Sequence, residues 1–223
     1  MAENESIVTT TQTSLEMLST VRELGGARTN EIVEAHDVAK STAHKHLTTL
    51  ERAGYLRKVG ERYYIGYKFL NFGEYAREQW SWFSAVKAAV EELAERTEEE
   101  GDFVVDDHGR VITVVESYHK WAKYGSDDGT KRYRANIGTY YPMHATGSGL
   151  AILASYPRAR VEAIVDDTGL PAVTEQTITS RAELFEELDR VNERGYAVGD
   201  RYYTEGLRSV GKVVTGTDGT AVG

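Results

Sequence analysis

One short segment of the chain places hydroxyl, imidazole and cationic side chains at helical spacing. At 100° per residue they form a single line along one face of a helix. The line consists of Ser41, Lys45, Thr48 and Arg52, with His44 and Thr49 on its flanks. Such groups donate hydrogen bonds to oxygen and nitrogen acceptors, and the cations attract phosphate groups. This face therefore has the chemistry of a surface that binds a polyanion.

The charge balance of this segment is opposite to that of the whole chain. The 223 residues include 26 Lys and Arg against 35 Asp and Glu, which gives a net charge of −9. Between residues 40 and 68 the charged residues are Lys40, Lys45, Arg52, Arg57, Lys58, Arg62 and Lys68, against Glu51 and Glu61. A basic patch on an acidic protein indicates a polyanionic partner. The alternative is a solvated face on a small helical domain that binds another protein.

The elements that must hold this face follow the order helix, turn, helix and two-stranded hairpin. The predicted helices span 11–24, 29–35 and 39–53, and the predicted strands span 55–58 and 62–65. Thr29 is the expected N-cap of the second helix. Asp37 fits the following turn because Asp tolerates a left-handed backbone. The order predicts a winged helix-turn-helix domain over residues 1–66.

Two apolar arcs should seat the helices on one another. They are formed by Leu15, Leu18 and Val21 in the first helix and by Ala43, Leu47 and Leu50 in the third. The second arc lies opposite the polar line, so the third helix should have one buried face and one exposed basic face. His46 lies about 70° from the centre of the buried arc, and we expect it to pack rather than to contact the partner.

The rest of the chain is predicted to form a linker helix over 67–79 and a second domain over 80–223. The predicted strands span 103–105, 111–115 and 210–215. One predicted helix has Phe83, Val86, Val90 and Leu93 at helical spacing, and a second spans 146–155. A third begins at Ser180 and should bury Leu184, Leu188 and Val191. This mixture predicts an α+β fold. The chain ends in what looks like the start of another strand, so we expect the natural protein to continue.

Composition excludes several classes of protein and site. The chain has no Cys, which excludes disulfides and thiolate metal sites. It lacks a run of about 20 apolar residues and a signal peptide, so we expect a soluble cytoplasmic protein. His108, His119 and His144 share no metal-ligand spacing, and no metal or cofactor is expected. The acidic composition with three Met favours a halophilic source over an ordinary acidic bacterial protein.

Three blocks of sequence occur in order along the chain. The first is KSTAHKHLTTLERAGYL at 40–56 with Tyr64-Ile-Gly66, the second is IGTYYPMHATGSGLAILA at 137–154, and the third combines Ile178-Thr, Leu184 and Leu188 with VNERGYAV at 191–198 and EGLRSVG at 205–211. At this spacing the blocks resemble the IclR family of transcription regulators. The resemblance implies a winged-helix DNA-binding domain, a linker helix and a C-terminal GAF-like α/β effector-binding domain. It also implies dimers, often paired into tetramers, and no catalysis.

The resemblance implies that the third helix enters the major groove of double-stranded DNA, with its N-terminal half against base edges. The candidates for direct base contact are Ser41, Thr42 and Lys45. The candidates for base or phosphate contact are His44, Thr48 and Thr49. The candidates for backbone or minor-groove contact are Arg52, Arg57, Lys58, Arg62 and, at a helix N-terminus, Thr29. Family members commonly have Arg where Lys45 lies.

The resemblance places the effector pocket around a helix start in the second domain. The candidate residues are Gly147, Ser148, Asp200, Ser209, Tyr140 and Tyr202. Free N–H groups at the start of that helix suit a carboxylate, so a small organic acid or sugar-derived metabolite is expected. Each Tyr has the alternative of being an ordinary core or interface residue. Family members commonly have Lys where Leu150 lies.

Two other classes of function compete with a ligand-responsive regulator. One is an architectural DNA-binding protein without a ligand. The other is an enzyme that uses the C-terminal pocket, since Ser148 and His144 are the residue types of a nucleophile and its base. They lie four residues apart around a helix start, and the Gly-Ser-Gly sequence is not the Gly-x-Ser-x-Gly elbow. Catalysis is therefore the weaker of the two alternatives.

Overall fold

The computed structural model describes residues 7–118, 136–217, 219 and 221–223. The chain divides into two compact units, Met1–Trp80 and Ser81–Gly223. Each unit has its own elements and its own core.

The first unit has the predicted order of helices and hairpin. Its elements are α1 (Thr9–Glu23), α2 (Thr29–His36), α3 (Lys40–Arg52), β1 (Leu56–Val59), β2 (Arg62–Ile65) and α4 (Lys68–Glu78). The two strands are antiparallel, with Leu56 opposite Ile65 and Val59 opposite Arg62. A bridge between Ala27 and Tyr63 joins the hairpin to the start of α2.

The core of the first unit lies where α1, α2 and α3 meet the hairpin. Its fully buried members include Met17, Val21, Ile32, Leu47 and Tyr63. The predicted arc of α3 is confirmed, because Ala43, Leu47 and Leu50 are all buried. The prediction for Leu15 is wrong, since its side chain is 57% exposed and Met17 is buried instead.

The turn between α2 and α3 positions the polar line. Asp37 ends α2 with φ 47° and ψ 46°, the left-handed conformation expected there. The predicted N-cap of α2 is wrong by one residue, because Thr29 is the first helical residue and Arg28 is the N-cap. The Arg28 N–H donates to the Glu31 carboxylate at 2.6 Å, so an acidic side chain in the first turn caps this helix.

The second unit combines short antiparallel sheets with helices, which confirms the α+β fold class. Its elements are α5 (Phe83–Thr97), β3 (Gly101–Asp107), β4 (Arg110–Ser117), β5 (Tyr140–Pro142), a 3₁₀ turn (Met143–Ala145), α6 (Gly147–Ala154), α7 (Arg158–Thr168), α8 (Arg181–Arg194), β6 (Ala197–Asp200) and β7 (Arg208–Gly211). The order in the larger sheet is β3-β4-β5, and β6 pairs with β7 as a separate hairpin. The predicted strand over 210–215 therefore begins and ends earlier in the structure.

Helix α6 lies at the centre of the second core. Leu150, Ile152 and Leu153 are at most 2% exposed, since α6 is covered by α8 and by the β6–β7 hairpin. Helix α8 buries the predicted line of Leu184, Leu188 and Val191, and Ser180 accepts a hydrogen bond from the Glu183 N–H. In α5 the prediction for Leu93 is wrong: its side chain is 50% exposed, and Val90 and Ala94 are buried. Within the described residues, no helix is long and apolar enough to cross a bilayer.

Candidate nucleic-acid interface and effector site

The polar line of α3 is open to solvent along the helix. The exposed members are Ser41, His44, Lys45, Thr49 and Arg52, and Thr48 is half-buried, as is the nearby base-contact candidate Thr42. Ala43 and Leu47 on the opposite side are completely buried. The Thr49 hydroxyl donates to the Lys45 carbonyl at 2.8 Å, which leaves its oxygen free to accept a hydrogen bond. Helix α3 therefore presents a hydrogen-bonding cationic face on a rigid support.

His46 packs against α1, which confirms the expectation for this residue. Its Nδ1 lies 2.7 Å from the Ser14 Oγ. The Ser14 hydroxyl also lies 3.1 Å from the Thr10 carbonyl on the same helix. His36 makes the matching contact from α2 to Thr20 at 2.9 Å. These two hydrogen bonds fix α2 and α3 on α1.

Two of the three wing cations lie over aromatic rings. The Arg57 guanidinium is 4.9 Å from the centroid of the Tyr64 ring and 5.5 Å from that of Tyr67. The Lys58 Nζ is 5.2 Å from the Tyr63 centroid. Both cations are exposed on β1. Their aromatic supports limit side-chain freedom, so less conformational entropy is lost when the charge meets a phosphate.

Arg62 is held differently, inside the first unit. Its guanidinium donates to the Gly26 carbonyl at 2.7 Å and forms an ion pair with Glu31 at 3.4 Å. The Arg28 N–H and, more weakly, Arg62 hold the Glu31 carboxylate in its charged form and lower its pKa. This placement favours a structural role for Arg62. Its contact with DNA, like that of the half-buried Thr29 on α2, stays a prediction.

Gly147 and Ser209 meet in the second unit. The Gly147 N–H donates to the Ser209 Oγ at 3.2 Å. A Cβ added to Gly147 or Gly199 would lie within 3 Å of that hydroxyl oxygen, and one added to Gly211 would lie 2.3 Å from the Gly147 carbonyl oxygen. The three glycines therefore allow the β6–β7 hairpin to lie directly against the first turn of α6.

The first turn of α6 is partly saturated by this packing. The Gly147 N–H bonds to Ser209, and the Gly149 N–H donates to the Thr146 hydroxyl at 3.0 Å. Ser148 lies between them and is half-buried. Leu150 is fully buried in the core below. A ligand carboxylate at this helix start would have to compete with the Ser209 hydroxyl for the Gly147 N–H.

The three remaining pocket candidates have partners of their own. Asp200 accepts from Arg208 at 3.0 and 3.1 Å and pairs with Arg201 at 3.2 Å; these cations lower the pKa of its carboxyl. Burial raises the pKa of the Tyr202 hydroxyl, and the Tyr202 carbonyl accepts from Thr177 at 2.6 Å.

Tyr140 lies on β5, where its hydroxyl donates to Asp107 at the end of β3. Burial raises the pKa of Tyr140 to about 12. The structure thus joins Gly147 to Ser209 and Asp200 to the hairpin arginines, and it joins Tyr140 to Asp107. The predicted role of Tyr140 as a pocket wall stays a prediction.

A separate cavity of about 170 Å³ lies beside β3 and α7, lined in part by Asp106, Tyr156 and Arg160. Asp106 accepts from the Tyr156 hydroxyl at 2.9 Å, from Arg160 at 2.8 Å and from the Gly109 N–H at 3.0 Å. Burial and the bond to Asp106 raise the pKa of Tyr156 to about 12. Sequence reasoning missed this cluster, because its partners lie about 50 residues apart and share no motif.

His144 is turned toward the chain after α7. Its Nε2 lies 3.1 Å from the Pro171 carbonyl, which can only accept, so Nε2 carries the hydrogen. Burial lowers the pKa of the imidazole. In the described part of the chain, no group of three His, Asp or Glu side chains is arranged to hold a metal ion. His119 lies outside the described residues.

The contrast between Arg62 and Arg57 gives a first prediction. Arg62→Ala should lower the free energy of unfolding by about 1–3 kcal/mol, because the charge-assisted bond to Gly26 is lost. Arg57→Ala should leave the free energy of unfolding nearly unchanged. It should reduce the steepness of the salt slope, which is the slope of log K for DNA binding against log salt concentration, by about one unit. Urea unfolding and a binding series in salt measure the two effects. A destabilised Arg57→Ala and an unaffected Arg62→Ala would reverse these assignments.

Two family models match the chain. The IclR helix-turn-helix domain matches residues 12–60, and the model described as bacterial transcriptional regulator IclR C-terminal matches residues 79–222. Among curated proteins, a probable HTH-type transcriptional regulator, ArcR, of Halobacterium salinarum is 26% identical over 94% of this chain and 78% of its own length. The transcriptional repressor IclR of Escherichia coli is 29% identical over 87% of this chain and 70% of its own length.

Solved structures share the fold over nearly the whole chain. An IclR transcriptional regulator from Alicyclobacillus acidocaldarius covers 97% of this chain and 86% of its own, with a TM-score of 0.77 and 22% identity. An IclR homologue from Microbacterium hydrocarbonoxydans was solved in complex with 4-hydroxybenzoate. It covers 97% of this chain and 86% of its own, with a TM-score of 0.72 and 20% identity. Because the C-terminal model alone spans more than half of the chain, and the helix-turn-helix model matches the unit that carries α3, this protein belongs to the IclR family of transcriptional regulators.

Proposed function

We propose that the protein is a sequence-specific DNA-binding regulator whose affinity for its operator is modulated by a small acidic metabolite. The observation that carries the proposal is the two-sided α3, with Ala43 and Leu47 buried behind an exposed line of donors and cations. A helix of this kind fits the major groove, where bases present their distinguishing acceptors and donors. We further propose that the protein acts in the cytoplasm, as a DNA-binding regulator would.

Contacts along α3 are assigned by their distance from its N-terminus. Ser41, Thr42 and Lys45 lie in the first half, which reaches base edges in helix-turn-helix proteins. Lys45 bonds to guanine O6 and N7 as a point charge, without the fixed fork of Arg. Arg52 at the C-terminal end meets the phosphate backbone, as do Arg57 and Lys58 on the wing.

We further propose that the active species is a homodimer. No residue of α4 is buried within the described chain, and Leu70 and Tyr75 are 65% and 64% exposed. Ile7 and Leu15 are similarly exposed and line a groove along α1. A second copy would cover such apolar surface on both chains at once, since a twofold interface uses the same patch twice. It would also present two α3 helices to a palindromic site.

Leu70→Asp tests the dimer. A charge on this exposed apolar position should shift the equilibrium toward monomer, because the carboxylate would lose water at the interface. Sedimentation equilibrium on the full chain measures the shift, with Thr97→Asp on an exposed end of α5 as the control. A wild-type protein that sediments as a monomer, or a Leu70→Asp variant that remains dimeric, would contradict this assignment.

We propose a small carboxylic acid as the effector, bound at the start of α6. Gly147 and Ser148 supply N–H groups there, and Ser209 supplies a hydroxyl. Two similar proteins support the class. One is the structure with 4-hydroxybenzoate, and the other is a double mutant of the PobR inducer-binding domain from Acinetobacter, 24% identical, which was solved with 3-hydroxybenzoic acid. A ligand carboxylate would take the Gly147 N–H from Ser209 and so loosen the hairpin from α6.

A metabolite screen by thermal shift tests the effector class. The expected hit is a small organic acid that raises the midpoint temperature of unfolding. The acid should change the affinity for operator DNA by the same factor by which operator DNA changes the affinity for the acid. At a ligand concentration of 100 times Kd, binding adds about 2.7 kcal/mol of stability. Sugars without a carboxylate are the matched controls. Hits confined to those sugars would contradict the carboxylate assignment.

Lys45→Ala tests the recognition helix. The variant should lose about 1–3 kcal/mol on DNA selected by the wild-type protein, and it should lose preference at one base pair. Lys87→Ala on α5, another exposed Lys, is the control for loss of charge. Fluorescence anisotropy on selected and scrambled duplexes measures both quantities. Equal weakening on the two duplexes would make Lys45 a phosphate contact instead.

Two alternatives remain distinct from this proposal. An architectural DNA-binding protein would bind without preference and would not respond to any metabolite. An enzyme using Ser148 would need His144 as its base, but the His144 Nε2 hydrogen is directed at Pro171. We therefore propose no catalytic role, and labelling of Ser148 by a serine-reactive probe would reverse that view.

A further inference from the structure

We propose that Lys68, the first residue of α4, is a positioning residue that fixes α4 against the end of the recognition helix α3. Through this contact it sets the separation of the two DNA half-sites that a dimer binds. The inference rests on the proposed dimeric DNA-binding function and deepens it. It concerns contacts within the first unit alone.

Lys68 connects α4 to the C-terminal end of α3. Its Nζ donates to the carbonyl of Ala53, the C-cap of α3, at 3.1 Å. A cation is favourable there because the last carbonyls of a helix carry partial negative charge. The same Nζ lies 4.5 Å from the centroid of the Tyr55 ring and 5.8 Å from that of Phe72. One side chain thus contacts the end of α3, the residue before β1 and the second turn of α4.

Aromatic rings complete this joint, which comprises Tyr55, Lys68, Phe69 and Phe72. The Tyr55 ring lies 5.4 Å from Phe69 and stacks on Phe72 at 6.1 Å with an interplanar angle of 13°. Below the rings, the Gly66 N–H donates to the Tyr55 carbonyl at 2.8 Å. A Cβ at Gly66 would lie 2.3 Å from the Gly54 carbonyl oxygen, so the backbones are already in close contact.

The joint is placed to control the direction of α4. No α4 residue is buried in the described structure. The contacts of the joint lie in the first two turns of α4, so they orient the start of the helix. An 11-residue helix is roughly 16 Å long. A tilt of about 10° therefore moves its far end by about 3 Å, close to one base-pair step of 3.4 Å. If the second copy packs on α4, a loosened joint allows a wider range of distances between the two α3 helices.

Lys68 is exposed, so solvent screens its contacts and they contribute little to stability. That separates a positioning role from a structural one. Lys68→Met keeps the apolar stem over Tyr55 and removes the cation. Lys68→Arg keeps a cation that can reach the same carbonyl and stack on the same ring. Lys87→Met removes an exposed Lys elsewhere and is the matched control.

The experiment uses the full chain and DNA enriched by the wild-type protein from a random pool. The enriched palindrome is rebuilt with half-site separations changed in single base-pair steps, and one duplex carries a single half-site. Affinities are measured by anisotropy at several salt concentrations. Discrimination is the ratio of the affinity for the best half-site separation to the affinity for the neighbouring separations. We expect Lys68→Met to lower this ratio by about threefold or more. The affinity for the single half-site and the midpoint temperature of unfolding should be nearly unchanged. Lys68→Arg should restore discrimination, and Lys87→Met should match the wild type.

Three results would overturn the inference alone. Unchanged discrimination in Lys68→Met would remove the positioning role. An equal loss of affinity on every duplex, with a salt slope lower by about one unit, would make Lys68 a phosphate contact. An equal loss of discrimination in Lys87→Met would show that the loss comes from the lower net positive charge and not from the position of Lys68. A wild-type protein that enriches no sequence would instead overturn the proposed function, and the inference with it.

Discussion

The seating of α3 on the rest of its unit is the constraint on which the other features depend. Ala43, Leu47 and Leu50 are buried against α1, α2 and the hairpin, and the helix cannot rotate without exposing them. Burial of a Leu side chain stabilises by about 1.5–3 kcal/mol, so rotation by half a turn would be costly. The polar line consequently has one fixed direction. Hydrogen bonds from His36 and His46 to α1 hold the same orientation with polar groups.

Helical periodicity predicted the order of the first unit and the buried arc of α3, because both depend on spacing along one helix. The same reasoning placed Leu15 and Leu93 in the core, where the structure leaves them exposed. A period identifies an apolar stripe but not the surface that covers it. Arg62 shows a second limit: its acceptor, Gly26, lies 36 residues away, and neither residue belongs to a motif. The Glu31 cap of α2 was missed because a Thr beside a helix start is the stronger local signal.

In the second unit the sequence predicted the mixture of elements and the helix starting near Gly147, but not how that start is covered. Three glycines bring the β6–β7 hairpin so close that the Ser209 hydroxyl bonds to the Gly147 N–H. This contact depends on the mutual fit of segments 62 residues apart in the sequence. At the proposed effector site, a ligand carboxylate that replaced the Ser209 hydroxyl would change the packing of the hairpin on α6.

The central claim is that α3 reads a DNA sequence. The most direct measurement is fluorescence anisotropy of the full chain on DNA from upstream of its own gene and on scrambled DNA of equal length, over a series of salt concentrations. We expect tighter binding to the upstream DNA and a steep loss of affinity on both duplexes as salt rises, since each phosphate contact adds about −0.9 to the slope of log K against log salt concentration. Absence of binding to either duplex at low salt would contradict it, because the exposed basic face of α3 would then serve another partner.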